Sequence, residues 1–448
     1  MRCVSNQLYH ELVAASFVLV WLFYLYLSIK LSDERLLADS AYYFFRVANQ
    51  SMIWIEHQRY VLCLTQLLPW LGSLVSAPLA ILIHLNSLNP WLFGLLISLW
   101  LLLKSGQPLW SLIIPLMHSL GLNHGFFVPM FELYYAADLL VLYLALRLMN
   151  RGHWLLRLLI GLVVASAHPT ALLLLLAAEG LLILRRGAER YQLFLITVLV
   201  IFAALKSTMA STYESDKTAY FISNLTGGFY AQDFYEKAWR FYLNNYWWHL
   251  PLLLGAMALH KIWQASLMFA VYLGLLIIIH FSFTGLSVDR YQQQVYFPAT
   301  ALLLLFLAFS STKRSWGKGL ALGFVLFLHI YAGWQIWQTA PIYQQRTNEI
   351  QTVVKEAQNR PDQKFIVAEA NLKNPPNWSY PLESMIFSSR EGLTQSIVTD
   401  LDYKEASAKF EIDQGKFIFR RWEVYPLERL NPRYWQLETG RYRPLPLP

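Results

Sequence analysis

A short polar stretch that follows the first long apolar run holds the residues best suited to chemistry. It includes the acid Asp39, which is followed directly by Ser40-Ala-Tyr-Tyr-Phe-Phe-Arg46. Charged side chains are costly in or near hydrocarbon, so an acid at this place indicates a functional site. A partly desolvated carboxylate here could deprotonate an acceptor hydroxyl or amine as a general base. The structural alternative is that Asp39 or Ser40 caps a helix whose aromatic side chains rest in the membrane interface.

A second group of candidate residues closes the same loop and begins a later apolar run. Arg59 offers a planar fork of donors and, with His57, is a candidate for binding a phosphate, although anchoring to lipid headgroups would use the same residue types. Glu132 begins the apolar run at the face predicted for this loop, where a lone acid could also be exposed and inert. Asp138 lies about two helical turns deeper, which is harder to explain without a function.

Two more candidates lie at predicted turns. His168 precedes Pro169 at the predicted turn of a helical hairpin, where a structural break is more common than a ligand. Arg290 and Tyr291 precede a late apolar run, and Arg290 is a candidate phosphate contact because a cation is unexpected at the outer face. A local pair with Asp289 is the alternative. We predict no metal site and no nucleotide site, since no zincin spacing, Walker loop or Gly-x-Gly-x-x-Gly pattern occurs.

The composition indicates a membrane protein. Of the 448 residues, 56% are hydrophobic and 14% are charged, whereas soluble domains have about 25% charged residues. The repeated apolar runs predict an all-α polytopic membrane protein with roughly 10–12 transmembrane helices. The net charge of +8 fits basic cytoplasmic loops, with anionic membrane lipids as partners. Nucleic-acid binding is disfavoured, because the basic residues lie between apolar runs rather than in one stripe.

The apolar runs that approach the length of a membrane-spanning helix are distributed over most of the chain. They are Val13–Ile29, Trp91–Leu103, Leu109–Leu120, Phe131–Leu148, Leu155–Ala167, Thr170–Leu184, Phe194–Leu205, Pro251–His260, Ala265–Phe283, Tyr296–Phe309 and Leu320–Ile336. The segment Val61–Leu85 is interrupted by Pro69, Gly72 and Pro78. It is either a further span or a pair of membrane-lying helices.

The distribution of Lys and Arg predicts how these runs are oriented. Basic residues such as Lys104 mark cytoplasmic loops. All of these basic loops fall on the cytoplasmic side only if Leu155–Leu184 is a helical hairpin. The agreement is better if Val61–Leu85 stays at the outer face. The segments then predicted at the outer face are the Leu31–Tyr60 loop, the turn at Asn123, the Lys206–His249 loop and everything after Thr339.

The tail, Ala340–Pro448, is polar and differs in character from the rest of the chain. Its short alternating runs Lys364–Ala368, Lys416–Phe419 and Trp422–Tyr425 are typical of strands. We therefore predict two domains. Residues 1–339 form a polytopic transmembrane domain with membrane-lying helices in the first external loop, and residues 340–448 form a small external α+β domain.

The layout resembles that of the GT-C superfamily of integral membrane glycosyltransferases. Its features are a first span, an external loop with an acid before membrane-lying helices, many further spans, and a late Arg290-Tyr291…Pro298 that enters a helix. The segments Asp39-Ser-Ala-Tyr-Tyr-Phe-Phe and Glu56-His-Gln-Arg-Tyr60 are similar to those of bacterial members. The resemblance covers residues 1–340 or thereabouts.

The resemblance implies a polyprenyl-phosphate-linked sugar donor and a base in the first external loop. Asp39 matches the position of that base, with Asp33 and Glu34 as nearby alternatives. Arg290 matches the late arginine that faces the lipid phosphate. Some members use a divalent cation held by an Asp-x-Asp motif. The first external loop of this chain has Asp33-Glu34 and no such motif, so no cofactor is expected; a divalent cation stays an alternative that the sequence does not support.

The leading hypothesis is an inverting glycosyltransferase of the bacterial inner membrane that acts at the outer face. Asp39 would deprotonate the acceptor, and Arg290, with Arg59 as the weaker candidate, would stabilise the departing lipid phosphate. The remaining members of the predicted substrate-binding set are His57, Glu132, His168 and Tyr291.

Two hypotheses from other classes compete with this one. A transporter or flippase for a lipid-linked or small polar substrate would need polar residues deep in the spans or two matching halves. The sequence offers Asp138, Glu179 and scattered histidines for that role, without an internal repeat. The other competitor is a non-catalytic scaffold whose tail binds a partner.

Overall fold

The computed structural model describes most of the chain. The described residues are 6–120, 124–149, 152–186, 190–209, 215–216, 219, 222–223, 226, 232–258, 262–282, 289–310, 315–374 and 376–447. Within them the chain is mostly α-helical, with a small sheet region near the carboxyl terminus. The prediction of a mostly helical chain that ends in a small α and β region is confirmed at this level.

The helices of the described residues vary from one turn to twelve turns in length. They are α1 (Asn6–Lys30), α2 (Asp39–Gln50), α3 (Leu62–Thr65), α4 (Leu67–Leu74), α5 (Leu79–Lys104), α6 (Trp110–Ser119), α7 (Glu132–Leu148), α8 (Trp154–Ala167), α9 (Pro169–Arg186), α10 (Arg190–Thr208), α11 (Gln232–Tyr246), α12 (His249–Ala258), α13 (Ile262–Ser282), α14 (Asp289–Ser310), α15 (Ser315–Gln358), α16 (Tyr380–Arg390) and α17 (Asp400–Ser407). We refer to α1 and α5–α15 together as the helical body.

Two small sheets form within the tail. Their strands are β1 (Lys364–Val367), β2 (Ser396–Thr399), β3 (Lys416–Arg420), β4 (Glu423–Pro426) and β5 (Arg443–Pro444). The first sheet is parallel with the order β2-β1-β5, and β3 pairs with β4 as an antiparallel hairpin. The three predicted strand runs correspond to β1, β3 and β4, whereas β2 and β5 were not predicted. α16 connects β1 to β2, as a parallel pair requires.

Three of the described helices are long and apolar enough to cross a membrane. They are α1, α5 and the segment Gly317–Gln358 of α15. The shorter apolar helices lie within α8, α9, α10, α12, α13 and α14. Large apolar side chains such as Leu19, Leu96 and Ile330 are exposed on the long helices. An apolar exterior of this kind is typical of a surface that meets lipid or another protein.

The predicted run Trp91–Leu103 is too short, because α5 begins twelve residues earlier at Leu79. Polar residues before Pro90 lower the hydropathy of that part of the helix, but the surrounding chain satisfies them. Ser87 donates to the carbonyl of Ser28 at 2.5 Å, and the Asn89 amide donates to the carbonyl of Leu64 at 2.8 Å. The ambiguous segment Val61–Leu85 therefore contains α3, α4 and the first turns of α5 rather than a separate span.

Several contacts show which helix ends lie together. Lys318 donates to Asn6 at 3.2 Å, so α15 and α1 begin at the same end of the helical body. At the other end, Lys206 of α10 donates to the carbonyl of Ser166 at 2.8 Å, and Gln58 donates to the carbonyl of Met209 at 3.2 Å. The polar loop and the α8–α9 turn therefore share one end, which we call the tail end.

The helix α2 is enclosed by protein. Phe45 is fully buried, and its ring centroid lies 5.0 Å from that of Phe419 and 5.2 Å from that of Trp435 in the tail. The alternative that these aromatic side chains rest in the membrane interface is therefore not what the structure shows. They are buried because the hairpin β3–β4 covers them. α15 also runs without a break through residue 340, and the division of the chain at that residue stays a prediction.

Candidate functional site

Asp39 is the first residue of α2, and neither Asp39 nor Ser40 caps the helix. The N-cap residue is Ala38, which has no side-chain oxygen and adopts φ 52° and ψ −119°. Its amide donates to the Ser379 hydroxyl of the tail at 2.9 Å. The Ser40 hydroxyl accepts from the amide of Met130 at 3.4 Å. An alanine with positive φ is strained, so contacts from distant parts of the chain hold this entry to the helix.

The Asp39 carboxylate is half-buried. No hydrogen-bond or ion-pair partner for it occurs among the residues that the structure describes. The capping interpretation is therefore wrong for this residue. A carboxylate that caps no helix, has no ion-pair partner and is not fully exposed is able to accept a proton from a molecule that reaches it.

Tyr43 brings the predicted residues of the site together. It lies one helical turn after Asp39, and its hydroxyl donates to Glu56 at 3.5 Å. Burial raises the pKa of Tyr43 well above its usual value, and the negative charges of Glu56, Asp39 and Glu132 raise it further. The cation Arg59 opposes this rise. Asp39, Arg59 and Glu132 therefore lie close enough to the Tyr43 phenol for their charges to act on it.

Glu132 is bound to another residue of the site and is therefore not a lone, exposed acid. It begins α7, it is buried, and it forms an ion pair with Arg59. The turn that delivers Arg59 contains two consecutive residues in the left-handed region, His57 with φ 51° and Gln58 with φ 56°. Because both are non-glycine residues, this turn is costly and must be held by its surroundings. The ion pair and the Gln58–Met209 contact do so.

The remaining predicted residues have different outcomes. His168 precedes α9 at the tail end, where its Nδ1 lies 2.8 Å from the Thr170 hydroxyl. His57 is half-buried beside the Arg59 turn. Arg290 and Tyr291 lie in the first turn of α14, but their side chains are outside the part of the chain that the structure describes. Their predicted contact with a phosphate stays a prediction.

Asp33 and Glu34, the alternative acids of the loop, face a different cleft. Asp33 forms an ion pair with Arg390 of the tail at 2.6 Å and accepts from Gln351 at 3.2 Å. Burial raises the pKa of Glu34. Both acids line a cleft of about 340 Å³ together with His84 and Arg390. Of Asp33, Glu34 and Asp39, it is therefore Asp39 that shares the environment of Tyr43.

Glu56, Tyr43 and Arg35 had no role in the predictions made from the sequence. The spacing of Tyr43 four residues after Asp39 is the one signal that would have suggested a shared helix face. Arg35 is fully buried, donates to Ser28 and lies 4.4 Å from the centre of the Phe126 ring. Burial lowers the pKa of Arg35 to about 9, so it remains charged at neutral pH. The structure thus shows a buried cation within the first polar loop that the sequence did not predict.

The described residues contain no group of three or more His, Cys, Asp or Glu side chains placed to hold a metal ion. No protein-family model matches the chain, and no curated protein or solved structure matches it either. The geometry of the site is therefore the basis for inferring a function. That geometry is one available carboxylate, Asp39, beside acids that are already engaged.

Proposed function

We propose that the protein is an integral membrane glycosyltransferase that uses a polyprenyl-phosphate-linked sugar as its donor. The observation that carries this proposal is the difference between Asp39 and its neighbouring acids. Glu56 accepts hydrogen bonds from Tyr42 and from Trp54, and Glu132 is paired with Arg59. Asp39 is the acid of this group with no partner among the described residues, so it is the group available to act as a base.

The reaction balances with Asp39 as the base. Asp39 takes the proton of an acceptor hydroxyl while that oxygen attacks the anomeric carbon from the side opposite the phosphate. The bond from the anomeric carbon to the phosphate oxygen breaks, and the electron pair leaves with the polyprenyl phosphate. Arg290 is proposed to stabilise that phosphate. Arg59 is the weaker candidate because Glu132 already engages it.

The proposed location is the inner membrane of a bacterium, with the tail end at the outer face. The three helices of spanning length and their exposed apolar side chains support insertion into a membrane. The excess of Lys and Arg in the loops assigned to the opposite end supports the orientation. A donor that is embedded in the membrane by its lipid could present its sugar to a site at the tail end.

Replacement of Asp39 with Asn tests the proposal. We expect the rate of sugar transfer to fall by about 10²- to 10⁴-fold, since the amide cannot act as a general base. The measurement is the release of polyprenyl phosphate from a panel of lipid-linked sugars in proteoliposomes. Thermal stability should be little changed, because no described residue binds this carboxylate.

Asp33→Asn is the matched control, because Asp33 is an acid of the same loop that faces another cleft. It should retain transfer within a few-fold. Full transfer by the Asp39→Asn variant, or equal losses in both variants, would overturn the assignment of the base.

A carrier of lipid-linked or small polar substrates is a second candidate, because the helical body contains buried titratable pairs. His118 Nε2 lies 2.7 Å from Asp138, and Arg147 lies 3.2 Å from Glu179, with all four side chains buried. Such residues within spans commonly belong to transport paths or proton relays. Proteoliposomes that take up substrate without releasing polyprenyl phosphate would favour the carrier.

A further inference from the structure

A row of alternating aromatic rings and guanidinium groups lies beside the Asp39 site. We call it the aromatic ladder, and its members are Trp54, Arg46, Tyr42, Arg420, Trp422 and Trp378. Three of these residues come from the first polar loop and three from the tail. The ladder therefore exists only where the hairpin β3–β4 packs on α2.

The guanidinium groups lie between neighbouring rings. Arg46 Cζ lies 4.7 Å from the centre of the Trp54 ring and 5.2 Å from that of the Tyr42 ring. Arg420 Cζ lies 4.5 Å from the Tyr42 ring and 5.6 Å from the Trp422 ring. These are cation–π distances, so the arginines contribute to holding the rings in place.

Two tryptophans continue the row at the surface. The ring centroids of Trp378 and Trp422 are 5.7 Å apart, and Trp378 lies 6.2 Å from Tyr42. Trp422 is 43% exposed, whereas Trp54 and Trp378 are half-buried. The buried Trp435 belongs to the core instead. The ladder thus has aromatic surface that a molecule outside can reach, most of it at Trp422.

The charges of the ladder are balanced. Arg46 pairs with Glu423 at 3.2 Å, and Arg420 pairs with the same carboxylate at 2.6 Å. Glu56 accepts from Tyr42 and, at 3.1 Å, from the Trp54 indole. Two guanidinium groups therefore face two carboxylates. An anionic lipid headgroup gains little at a neutral surface, since its binding depends on excess positive charge.

We propose that the aromatic ladder binds a neutral carbohydrate, which is the acceptor of the transfer proposed above and so rests on that proposal. A sugar ring has an apolar face that can cover an indole, and hydroxyls that can bond to guanidinium and carboxylate groups. Glu56 connects the two places, because it binds Tyr42 of the ladder and Tyr43 of the Asp39 site. If one sugar unit of the acceptor is held on Trp378 and Trp422, the following sugar units would lie near Asp39.

The test measures binding on the full-length protein in detergent, without turnover. The probes are the neutral oligosaccharides maltotetraose and chitotetraose, followed by saturation-transfer NMR and titration. We expect at least one of them to bind, and Trp422→Ala and Trp378→Ala each to weaken its binding by about tenfold. Trp422→Phe should keep most of the affinity because it retains a ring.

Trp334→Ala is the matched control, since Trp334 is 54% exposed on α15 and outside the ladder. Binding of neither oligosaccharide, or binding that neither ladder variant weakens, would overturn the proposal. Loss of adsorption to phosphatidylglycerol vesicles in the Trp422→Ala variant, with oligosaccharide binding unchanged, would assign the ladder to the membrane instead.

The Asp39→Asn variant separates this proposal from the proposed function. It should bind the oligosaccharide within twofold of the unaltered protein, because Asp39 is not part of the ladder. If Asp39→Asn keeps transfer while Trp422→Ala loses binding, the base assignment fails and the ladder stands. If Asp39→Asn loses transfer while both ladder variants bind normally, the ladder fails alone.

Discussion

The ion pair between Arg59 and Glu132 should be worth far more to stability than an exposed pair. Their side chains are 13% and 8% exposed, so removing one partner leaves a charge in a poorly solvated place. We expect Glu132→Gln to lower the free energy of unfolding by about 3–5 kcal/mol. The measurement is thermal or denaturant unfolding of the purified protein.

The exposed pair Arg240–Glu236 provides the control, and Glu236→Gln should cost no more than about 1 kcal/mol. A double variant, Arg59→Met with Glu132→Leu, should lose much less free energy of unfolding than the sum of the losses in the Arg59→Met and Glu132→Leu single variants. Additive losses would show that the two residues act independently.

The sequence was sufficient to find part of the site at the scale of single residues. Asp39, Arg59 and Glu132 could be selected because charged residues at the ends of apolar runs are unusual. The contact between Ala38 and Ser379 could not be predicted, since it joins residues 341 positions apart. Capping preference suggested an ordinary N-cap at this helix. The N-cap position is instead held by Ala38, whose amide donates to the Ser379 hydroxyl of the tail.

At the scale of elements, the packing of α2 against the hairpin β3–β4 should hold the tail in place. Phe45 is fully buried among Phe417, Phe419 and Trp435. We expect Phe45→Ala to destabilise this packing by about 3–5 kcal/mol, because it leaves a cavity that the rigid neighbours cannot fill. Limited proteolysis should then cleave the tail sooner.

Met52→Ala is the control for that variant, since Met52 is 64% exposed just after α2. It should leave the cleavage rate unchanged. Unaltered proteolysis of the Phe45→Ala variant would show that α2 does not hold the tail.

The elements that the sequence did not predict have a physical explanation. β2 is four residues long and buried along its whole length, so it lacks the alternation that marks a half-buried strand. The first half of α5 was missed because Ser87 and Asn89 reduce its hydropathy. Their hydrogen bonds to Ser28 and Leu64 satisfy these polar groups, and only the folded structure reveals those partners.

At the scale of the whole molecule, the two ends of the helical body should lie on opposite sides of the membrane. Single cysteines at Thr208 and Lys409 should react with a membrane-impermeant maleimide in intact cells, since both lie at the tail end. A cysteine at Lys104 should react only after permeabilisation, because α5 extends about 38 Å from its start near the tail.

The native Cys3 and Cys63 would first be replaced with Ser, and labelling of detergent-solubilised protein would show that each new cysteine is accessible. Joint labelling of Lys104→Cys and Thr208→Cys in intact cells would contradict the proposed orientation. The apolar runs alone indicated a membrane protein. The assignment of ends required contacts such as Lys318–Asn6, which no periodicity reveals.

The helix α15 joins the far end of the helical body directly to the tail. Its 44 residues correspond to a rod about 65 Å long, roughly twice the thickness of the hydrocarbon core. In a rod of this length, a tilt of about 5° at its Asn6 contact would displace its other end by about 6 Å. Pro341 lies within it, at a position where helices bend most readily. A small change in the tilt of α15 at one end of the helical body would therefore shift the residues that lie beside the tail at the other end.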